Sequence, residues 1–266
     1  MTMERDEIAP TAGRGDAKNH IPVIDRMLDM LEFVEMRQSG ITIKELCEQL
    51  SVPRSTVYRI LNTLEARQMV RRLANGAYVL GPRLLRFASK VVDTRGPELA
   101  QVAEPYLERL ALATGESVKL SVIYDDLALV VGCAQGPNEF ALTVRAGRTV
   151  PLYAGATSKV LLANASEVER ERIVNGPLKA FTSETLADPQ ALREELEKVR
   201  RQGWSVDQGE HSEGVFAVAA PVTSPDGMVV AAISIPYIRA ADRHRDTLLD
   251  HVVATARDLS AALAAR

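Results

Sequence analysis

The segment from Ser51 to Val70 carries side chains suited to binding nucleic acid. Its apolar residues recur at helical spacing and define one face of a helix: Val57, Ile60, Leu61 and Leu64. The opposite face offers hydroxyl, amide, phenol and guanidinium donors, and no carboxylate occurs before Glu65. Because phosphate oxygens and base edges in the major groove accept such donors, this face is predicted to bind DNA. The candidate contact residues are Arg54, Ser55, Thr56, Tyr58, Arg59 and Asn62.

Side-chain chemistry suggests a role for several of these basic and hydroxyl residues. Ser55 and Thr56 lie near the helix start, where their hydroxyls can bond phosphate oxygens or base edges. Arg59 can make a forked contact to guanine or phosphate. Arg71 and Arg72 lie in the next extended run and are expected to contact the DNA backbone or the minor groove, which adds affinity without sequence specificity.

Positive charge is concentrated in the same part of the chain. The 266 residues carry a net charge of −3, but residues 51–95 hold nine basic residues against two acidic ones, so this segment is +7 and the remainder is −10. A basic segment in an acidic chain is typical of a module that approaches phosphate. Taken alone, the charge would favour an ordinary solvated surface over a nucleic-acid-binding one.

The helices and strands that must position these side chains are predicted to form a winged helix-turn-helix over residues 20–81. Three apolar stripes at helical spacing predict three short helices, and the second begins with a capping box, TIKE, at Thr42. The dipeptide at Asn75 and Gly76 predicts a tight hairpin with two positive-φ positions, and hence a small wing. The alternative is a three-helix core with a merely polar exterior.

Pro53 predicts where the third helix starts. A proline is tolerated in the first helical turn because its missing N–H has no partner there, so we expect Pro53 inside the helix with Ser51 or Val52 as the cap. Only about two residues would then separate the second and third helices, the short turn of a helix-turn-helix.

Residues 97–266 predict an α+β domain with a mainly antiparallel sheet. The β-rich runs are SVKLSVIY, LALVVGCA and ALTVRAG, and the helical runs are GATSKVLLA, SEVERERIV and PQALREELEKVRRQ. Two long apolar strands around Ser224–Gly227 predict a hairpin, and a last helix is expected from Ala240. Residues 1–19 are predicted to be a disordered tail, and residues 82–96 a linker helix.

Composition and missing motifs exclude several classes of protein. The 46% hydrophobic and 25% charged content is that of a soluble globular protein, and neither a membrane span nor a signal-peptide core is visible, so a cytoplasmic location is expected. Cys47 and Cys133 are predicted to be small core residues rather than a disulfide. Without a nucleophile elbow, phosphate loop or dinucleotide fingerprint, neither an enzyme nor a cofactor is predicted. A non-standard hydrolase using Ser158 and Lys159 is the remaining enzymatic alternative.

A metal site is not predicted. Asp207, Glu210 and His211 lie close together, but the four histidines are scattered and neither cysteine lies at ligand spacing. His244 and His251, two turns apart on the predicted last helix, are expected to be surface or dimer-contact residues.

The chain resembles the IclR family of bacterial transcriptional regulators in three ordered segments. The first is GITIKELCEQLSVPRSTVYRILNTLEARQMVRRLANGAYVLGPRLL, the second VPLYAGATSKVLLA and the third GWSVDQGEHSEGVFAVAAPVTSPDGMVVAAISIP. Together they cover nearly everything from residue 20 onward. The resemblance implies a GAF-like C-terminal domain that binds a small molecule, often an organic acid, and a homodimer or dimer of dimers on a palindromic operator.

The resemblance also implies effector-binding positions, which fall on Ala156, Thr157, Asp207, Ala217, Ser234 and Pro236. Ala156 and Thr157 would start a helix, and the free N–H groups and dipole of a helix N-terminus bind carboxylates. Asp207 could accept a hydrogen bond from a ligand hydroxyl or amide, although it also reads as an ordinary turn residue after Trp204.

Two of these positions depart from the family pattern. Ala217 and Pro236 stand where members that bind small carboxylates have Cys and Ser. This difference speaks against a glyoxylate-like or pyruvate-like ligand and in favour of a larger or more apolar effector, such as an aromatic acid.

The sequence therefore predicts a ligand-responsive transcriptional regulator, a repressor, in which effector binding shifts the placement of two winged helices on DNA. Dimerisation is expected through the N-terminal helix and a linker helix between Arg83 and Arg95. The alternative is a constitutive DNA-binding protein whose C-terminal domain only oligomerises.

Overall fold

The computed structural model describes residues 21–37, 39–84, 86–87, 96–238 and 242–265. The chain forms two compact units that divide between residues 91 and 92. The predicted tail and most of the predicted linker helix lie outside the described residues.

The N-terminal unit is a three-helix bundle with a two-stranded wing. Its elements are α1 (Pro22–Glu35), α2 (Ile43–Leu50), α3 (Arg54–Ala66), β1 (Val70–Arg72) and β2 (Tyr78–Leu80). The core combines apolar residues of all three helices with Tyr78, whose backbone forms two hydrogen bonds with Ile41, of 2.8 and 3.0 Å. The wing is thereby fixed to the chain that leads into α2. The predicted capping box is confirmed, since the Thr42 hydroxyl accepts from the Glu45 N–H and the Glu45 carboxylate accepts from the Thr42 N–H.

The junction before α3 differs from the prediction. Pro53 is the N-cap residue, with extended backbone (φ −56°, ψ 140°), and the helix begins at Arg54. The Pro53 carbonyl accepts hydrogen bonds from the N–H groups of Thr56 (2.9 Å) and Val57 (3.2 Å). Ser51 does not cap α3, because it ends α2 in the left-handed conformation (φ 51°) and turns the chain. Three residues, rather than two, separate the helices.

The wing turn also differs from the two-residue hairpin that was predicted. Gly76 has a positive φ (+84°), whereas the φ of Asn75 is not positive. The Leu73 N–H donates to the Ala77 carbonyl (2.7 Å), so the loop is longer than two residues. The Asn75 side chain accepts from the Ala77 N–H (3.1 Å), a local bond that turns the chain without a second positive φ.

The C-terminal unit is an α+β domain around a six-stranded sheet. Its elements are α4 (Gly96–Thr114), β3 (Val118–Tyr124), β4 (Leu127–Ala134), β5 (Thr149–Pro151), α5 (Ala156–Ala163), α6 (Glu167–Val174), α7 (Pro189–Gln202), β6 (Ser205–Asp207), β7 (Val215–Thr223), β8 (Val229–Ile238) and α8 (Asp242–Ala264). The strand order is β5-β4-β3-β8-β7-β6, with antiparallel neighbours throughout. The predicted fold class is confirmed.

Alternation along the strands gives the sheet two apolar faces. One face packs against α4 and α8, and its central residues are Val118, Leu120, Val218, Ala220, Ile233 and Ile235. The other face packs against α5 and α7 through the residues that alternate with these along the strands, among them Ala217, Ala219 and Ala232. Since side chains of a strand alternate between faces, Lys119, Ser234 and Pro236 belong to this second face, the one that α5 covers.

Two expectations for this domain are wrong. ALTVRAG (141–147) is not a strand, and the Gln135 side chain donates to its Leu142 carbonyl and accepts from its Val144 N–H. Cys133 is a free thiol but is exposed rather than part of the core. In the N-terminal unit, Cys47 is a partly buried free thiol that packs against the core, as predicted.

Candidate DNA-binding surface and effector cavity

The outer face of α3 presents the predicted DNA-contact residues to solvent. Thr56 is half-buried, and the others are exposed: Arg54, Ser55, Tyr58, Arg59 and Asn62. The inner face is closed, since Val57 and Leu61 have no exposed surface. The helix therefore turns its donors outward as a unit, while their roles at DNA remain predictions.

The basic residues of this surface are available for an external anion. Within the part of the chain that the structure describes, Arg54, Arg59 and Arg71 have no ion-pair partner. By contrast, Arg37 on the same unit is paired with Glu45 at 2.7 Å. Arg72 projects from the wing over the ring of Tyr78, 5.8 Å from its centroid.

The C-terminal unit contains a cavity of about 70 Å³ between the N-terminus of α5 and the sheet. It brings together predicted effector residues from α5, β6, β7 and β8: Ala156, Thr157, Asp207, Ala217 and Pro236. Ser234 lies behind this lining, where its hydroxyl accepts a 2.7 Å hydrogen bond from the Thr157 hydroxyl. The structure thus places all six predicted residues in one region, and their part in ligand binding remains a prediction.

Asp207 is both a turn residue and a lining residue. Its Oδ1 accepts hydrogen bonds from the N–H groups of Gly209 (2.9 Å) and Glu210 (2.8 Å), and the side chain is buried. Burial raises the pKa of the Asp207 carboxyl, while these N–H groups and the nearby Lys159 and Lys119 oppose the rise. Oδ2 points toward Gly155 at the start of α5.

Gly155 allows this close approach. It has φ +96°, and a Cβ atom there would lie 3.3 Å from Asp207 Oδ2. Its N–H donates to Glu210 Oε2 at 3.0 Å, so a protein carboxylate already satisfies the donor just before the helix. The next N–H groups, from Ala156 to Ser158, belong to the first helical turn and border the cavity.

Sequence reasoning missed several lining residues, notably Lys119, Ser158 and His211. Burial lowers the pKa of Lys119, and the charge of Asp207 opposes that shift. Burial also lowers the pKa of His211, whose ring lies 5.0 Å from that of Phe181. The sequence does indicate which face Lys119 occupies. In VKL it alternates with Val118 and Leu120, so a strand that buries both of these residues turns the lysine to the opposite face.

Lys159 lies behind the cavity, bound to acidic groups. Only 2% of its side chain is exposed, and its ammonium group donates to Glu210, to the Val206 carbonyl (2.8 Å) and to Glu195 (3.3 Å). The hydrolase alternative requires Lys159 to pair with Ser158. Its ammonium group instead bonds these acidic and carbonyl groups in the protein interior. Among the described residues, no group of three or more His, Cys, Asp or Glu side chains is arranged to hold a metal ion.

A winged helix-turn-helix that exposes arginines on its outer face, on one chain with an α+β domain that contains a cavity lined by polar and apolar residues, defines the class of helix-turn-helix regulators with a second domain. The chain belongs to the IclR family of bacterial transcriptional regulators. The family's helix-turn-helix domain matches residues 23–74, and its C-terminal domain matches residues 92–261. The family consists of transcriptional regulators rather than enzymes.

Individual relatives agree with this assignment. The HTH-type transcriptional regulator BhcR of Paracoccus denitrificans is 33% identical over 250 residues, 92% of this chain and 88% of its own. The HTH-type transcriptional repressor AllR of Salmonella typhi is 30% identical, covering 99% of this chain and 97% of its own.

Solved structures are similar over most of the chain. The Thermotoga maritima IclR structure has a TM-score of 0.72 at 26% identity and covers 92% of this chain and 100% of its own. An IclR homologue from Microbacterium hydrocarbonoxydans, complexed with 4-hydroxybenzoate, has a TM-score of 0.68 at 24% identity, with the same coverage, which supports the fold. No helix within the described ranges is both long and apolar enough to span a membrane.

Proposed function

We propose that this protein is a ligand-responsive transcriptional repressor that binds a palindromic operator as a homodimer or dimer of dimers and senses a small organic acid. The observation that carries the effector role is the cavity at the N-terminus of α5, which combines unpaired helix donors with a buried carboxylate, Asp207. The repressor assignment is supported by the relative AllR, which is named a repressor.

The DNA-binding role rests on the outer face of α3 and on the wing. Arg54, Ser55, Thr56, Tyr58, Arg59 and Asn62 are proposed to contact the major groove or its phosphates, with Arg71 and Arg72 on the backbone or minor groove. Effector binding is proposed to change the spacing of the two winged helices in a dimer. A coupling of about 1–3 kcal/mol would change operator affinity by about 5- to 150-fold.

The size of the cavity bears on the kind of acid. At about 70 Å³ it is less than half the volume of an apolar cavity of roughly 150 Å³ that binds benzene, so a small acid fits most readily. An aromatic acid, which Ala217 and Pro236 favour, would occupy an enlarged cavity or extend through its open side. Because the structure of a homologue contains 4-hydroxybenzoate, the binding test includes aromatic acids.

Thermal unfolding with a panel of small aliphatic and aromatic acids tests the effector role. An effector present at about 100 times its dissociation constant adds about 2.7 kcal/mol of stability, which corresponds to roughly 5–10 °C in Tm for a domain of this size. The same acid is expected to change the protein's affinity for a DNA duplex selected from a random-sequence library. If no acid moves Tm while DNA is bound normally, the constitutive alternative replaces this proposal.

Dimerisation through α1 is proposed because part of its apolar stripe is uncovered. Met30 and Val34 of α1 are buried, but Ile24 and Leu28 of the same helix are 45% and 49% exposed. We expect sedimentation velocity at micromolar concentration to show a dimer or larger species, and Leu28→Glu to weaken it. A wild-type protein that sediments and cross-links only as a monomer would contradict the proposal.

A further inference from the structure

We propose that Lys119 and Ser158 bind the carboxylate of the effector, so that this cavity selects an acid by charge, and that the acid carries a hydrogen-bond donor on the adjacent carbon. This inference rests on the proposed effector role of the cavity. It assigns a function to two residues outside the set that the family resemblance implies, and it defines the ligand as a small 2-hydroxy or 2-amino acid.

Lys119 supplies a positive charge without a protein partner. It lies on β3, opposite Ser234 in the register with β8, and lines the cavity beside the first turn of α5. Across the described part of the chain its ammonium group has no hydrogen-bond or ion-pair partner. Asp207 lines the same cavity and its charge acts on Lys119, but no hydrogen bond or ion pair joins the two among the described contacts, so this half-buried ammonium group keeps its donors for a ligand anion.

Ser158 supplies an independent observation. It has no exposed surface, it lines the same cavity, and its hydroxyl has no hydrogen-bond partner among the described residues. A buried hydroxyl that bonds nothing is uncommon, because the loss of its water is then uncompensated. A carboxylate in the cavity would accept bonds from the N–H groups of the first turn of α5 and, once the Ser158 side chain rotates toward the cavity, from this hydroxyl.

Asp207 defines the second group of the ligand. Its Oδ1 is used by the N–H groups of Gly209 and Glu210, whereas Oδ2 is not hydrogen-bonded within the described residues. An ionised carboxylate only accepts, so the ligand must present a hydroxyl or ammonium donor there. Asp207, Lys119 and the first turn of α5 line the same cavity of about 70 Å³, which favours a ligand with its donor and carboxylate on adjacent carbons.

Isothermal titration calorimetry of the full chain with L-lactate and L-alanine tests this arrangement and separates the hydroxyl from the amino form. Lactamide, which has the shape of lactate without its charge, is the matched ligand control. We expect at least one acid to bind, and lactamide to bind about 10- to 100-fold more weakly, since a bond to a charged group is lost. Binding of neither acid, or equal binding of lactate and lactamide, would overturn the inference.

Variants assign the charge recognition to Lys119. Lys119→Met keeps the length and removes the charge, and it is expected to lose about 10- to 100-fold in affinity for the acid, with Lys119→Arg retaining most of it. Ser158→Ala is expected to lose about 3- to 10-fold. Lys44→Met, at an 85% exposed lysine of the N-terminal unit, is the matched control and should bind like wild type. Unaltered acid binding by a folded Lys119→Met protein would overturn the role of Lys119.

DNA binding distinguishes this inference from the proposed function. If the acid changes DNA affinity equally in wild type and Lys119→Met, the effector role stands and the assignment of Lys119 fails. If the acid binds through Lys119 but leaves DNA affinity unchanged, the assignment stands and the regulatory role of the cavity fails.

Discussion

Replacing Lys159 by methionine is expected to lower the free energy of unfolding of the C-terminal unit by about 3–5 kcal/mol, because it leaves a buried carboxylate without its partner. Lys159 and Glu210 are 2% and 5% exposed and are in direct contact. A loss of that size lowers Tm by roughly 6–20 °C for a domain of this size. Urea unfolding followed by the fluorescence of Trp204, the single tryptophan and a residue of this unit, measures the effect.

The deficit should depend on pH in a defined direction. Burial raises the pKa of Glu210 and Lys159 opposes that rise, so removing Lys159 raises this pKa further. A carboxyl whose folded pKa exceeds its unfolded value binds more protons in the folded state, and stability therefore falls as pH rises through that window. The Lys159→Met variant is expected to be closest to wild type at acidic pH and furthest from it near neutrality.

Two further variants show whether the lost ion pair is the cause. The double variant Lys159→Met with Glu210→Gln removes both charges and should recover much of the loss. Lys198→Met, at a lysine of α7 whose side chain is 58% exposed and which pairs with Glu195 at 3.2 Å, should change stability by less than about 1 kcal/mol. A Lys159→Met protein within about 1 kcal/mol of wild type would mean that the pair contributes little beyond a surface ion pair.

Arg59→Ala is expected to abolish detectable operator binding in a gel-shift assay while leaving the circular dichroism spectrum unchanged. A forked arginine contact is worth about 1–3 kcal/mol, so loss from both subunits of a dimer weakens binding by roughly 30-fold to more than 10⁴-fold. The probe is a duplex enriched from a random-sequence library by the wild-type protein. Since Arg59 is exposed and has no ion pair among the described residues, its removal should not disturb the fold.

Arg37→Ala is the matched control for Arg59→Ala. It removes the same charge from the same unit, but Arg37 is engaged by Glu45 at 2.7 Å and lies outside the α3 face. We expect its DNA affinity to stay near that of wild type. The salt dependence of residual binding separates the two possible contacts, because loss of a phosphate contact lowers the slope by about one per arginine. Unchanged affinity in Arg59→Ala would remove Arg59 from the contact surface.

Local sequence patterns predicted most helices and strands, whereas contacts between distant residues determine where some of them begin and which segments form none. The Thr42 capping box and the apolar stripe of α3 depend on residues a few positions apart, so the sequence displays them directly. The start of α3 was predicted wrongly because the left-handed Ser51 turns the chain before Pro53 is reached. The strand expected over residues 141–147 does not form, and the side chain of Gln135, just after β4, makes bonds there that no sequence pattern indicates.

The cavity shows the same limit. Ala156 and Asp207 came from the family resemblance, and no spacing rule joins residues that lie about fifty positions apart in sequence. The position of Lys119 could be predicted only in part. Its alternation with Val118 and Leu120 places it on the opposite face of a strand, but does not show that the N-terminus of α5 covers that face. Ser158 carries no local signal at all, since an orphaned hydroxyl is a property of packing.

The two faces of the sheet have a consequence for how this protein can diversify. Ala217, Pro236 and Lys119 border the cavity, while their immediate neighbours Val218 and Ile235 are core residues of the opposite face. A substitution at Lys119 or Pro236 therefore leaves this opposite apolar layer intact, whereas Ala217 also packs in the core beneath α5 and α7, so that changing it affects both. Under the proposed function, ligand preference can thus change through alternate residues of two strands while the layer against α4 and α8 keeps the domain folded.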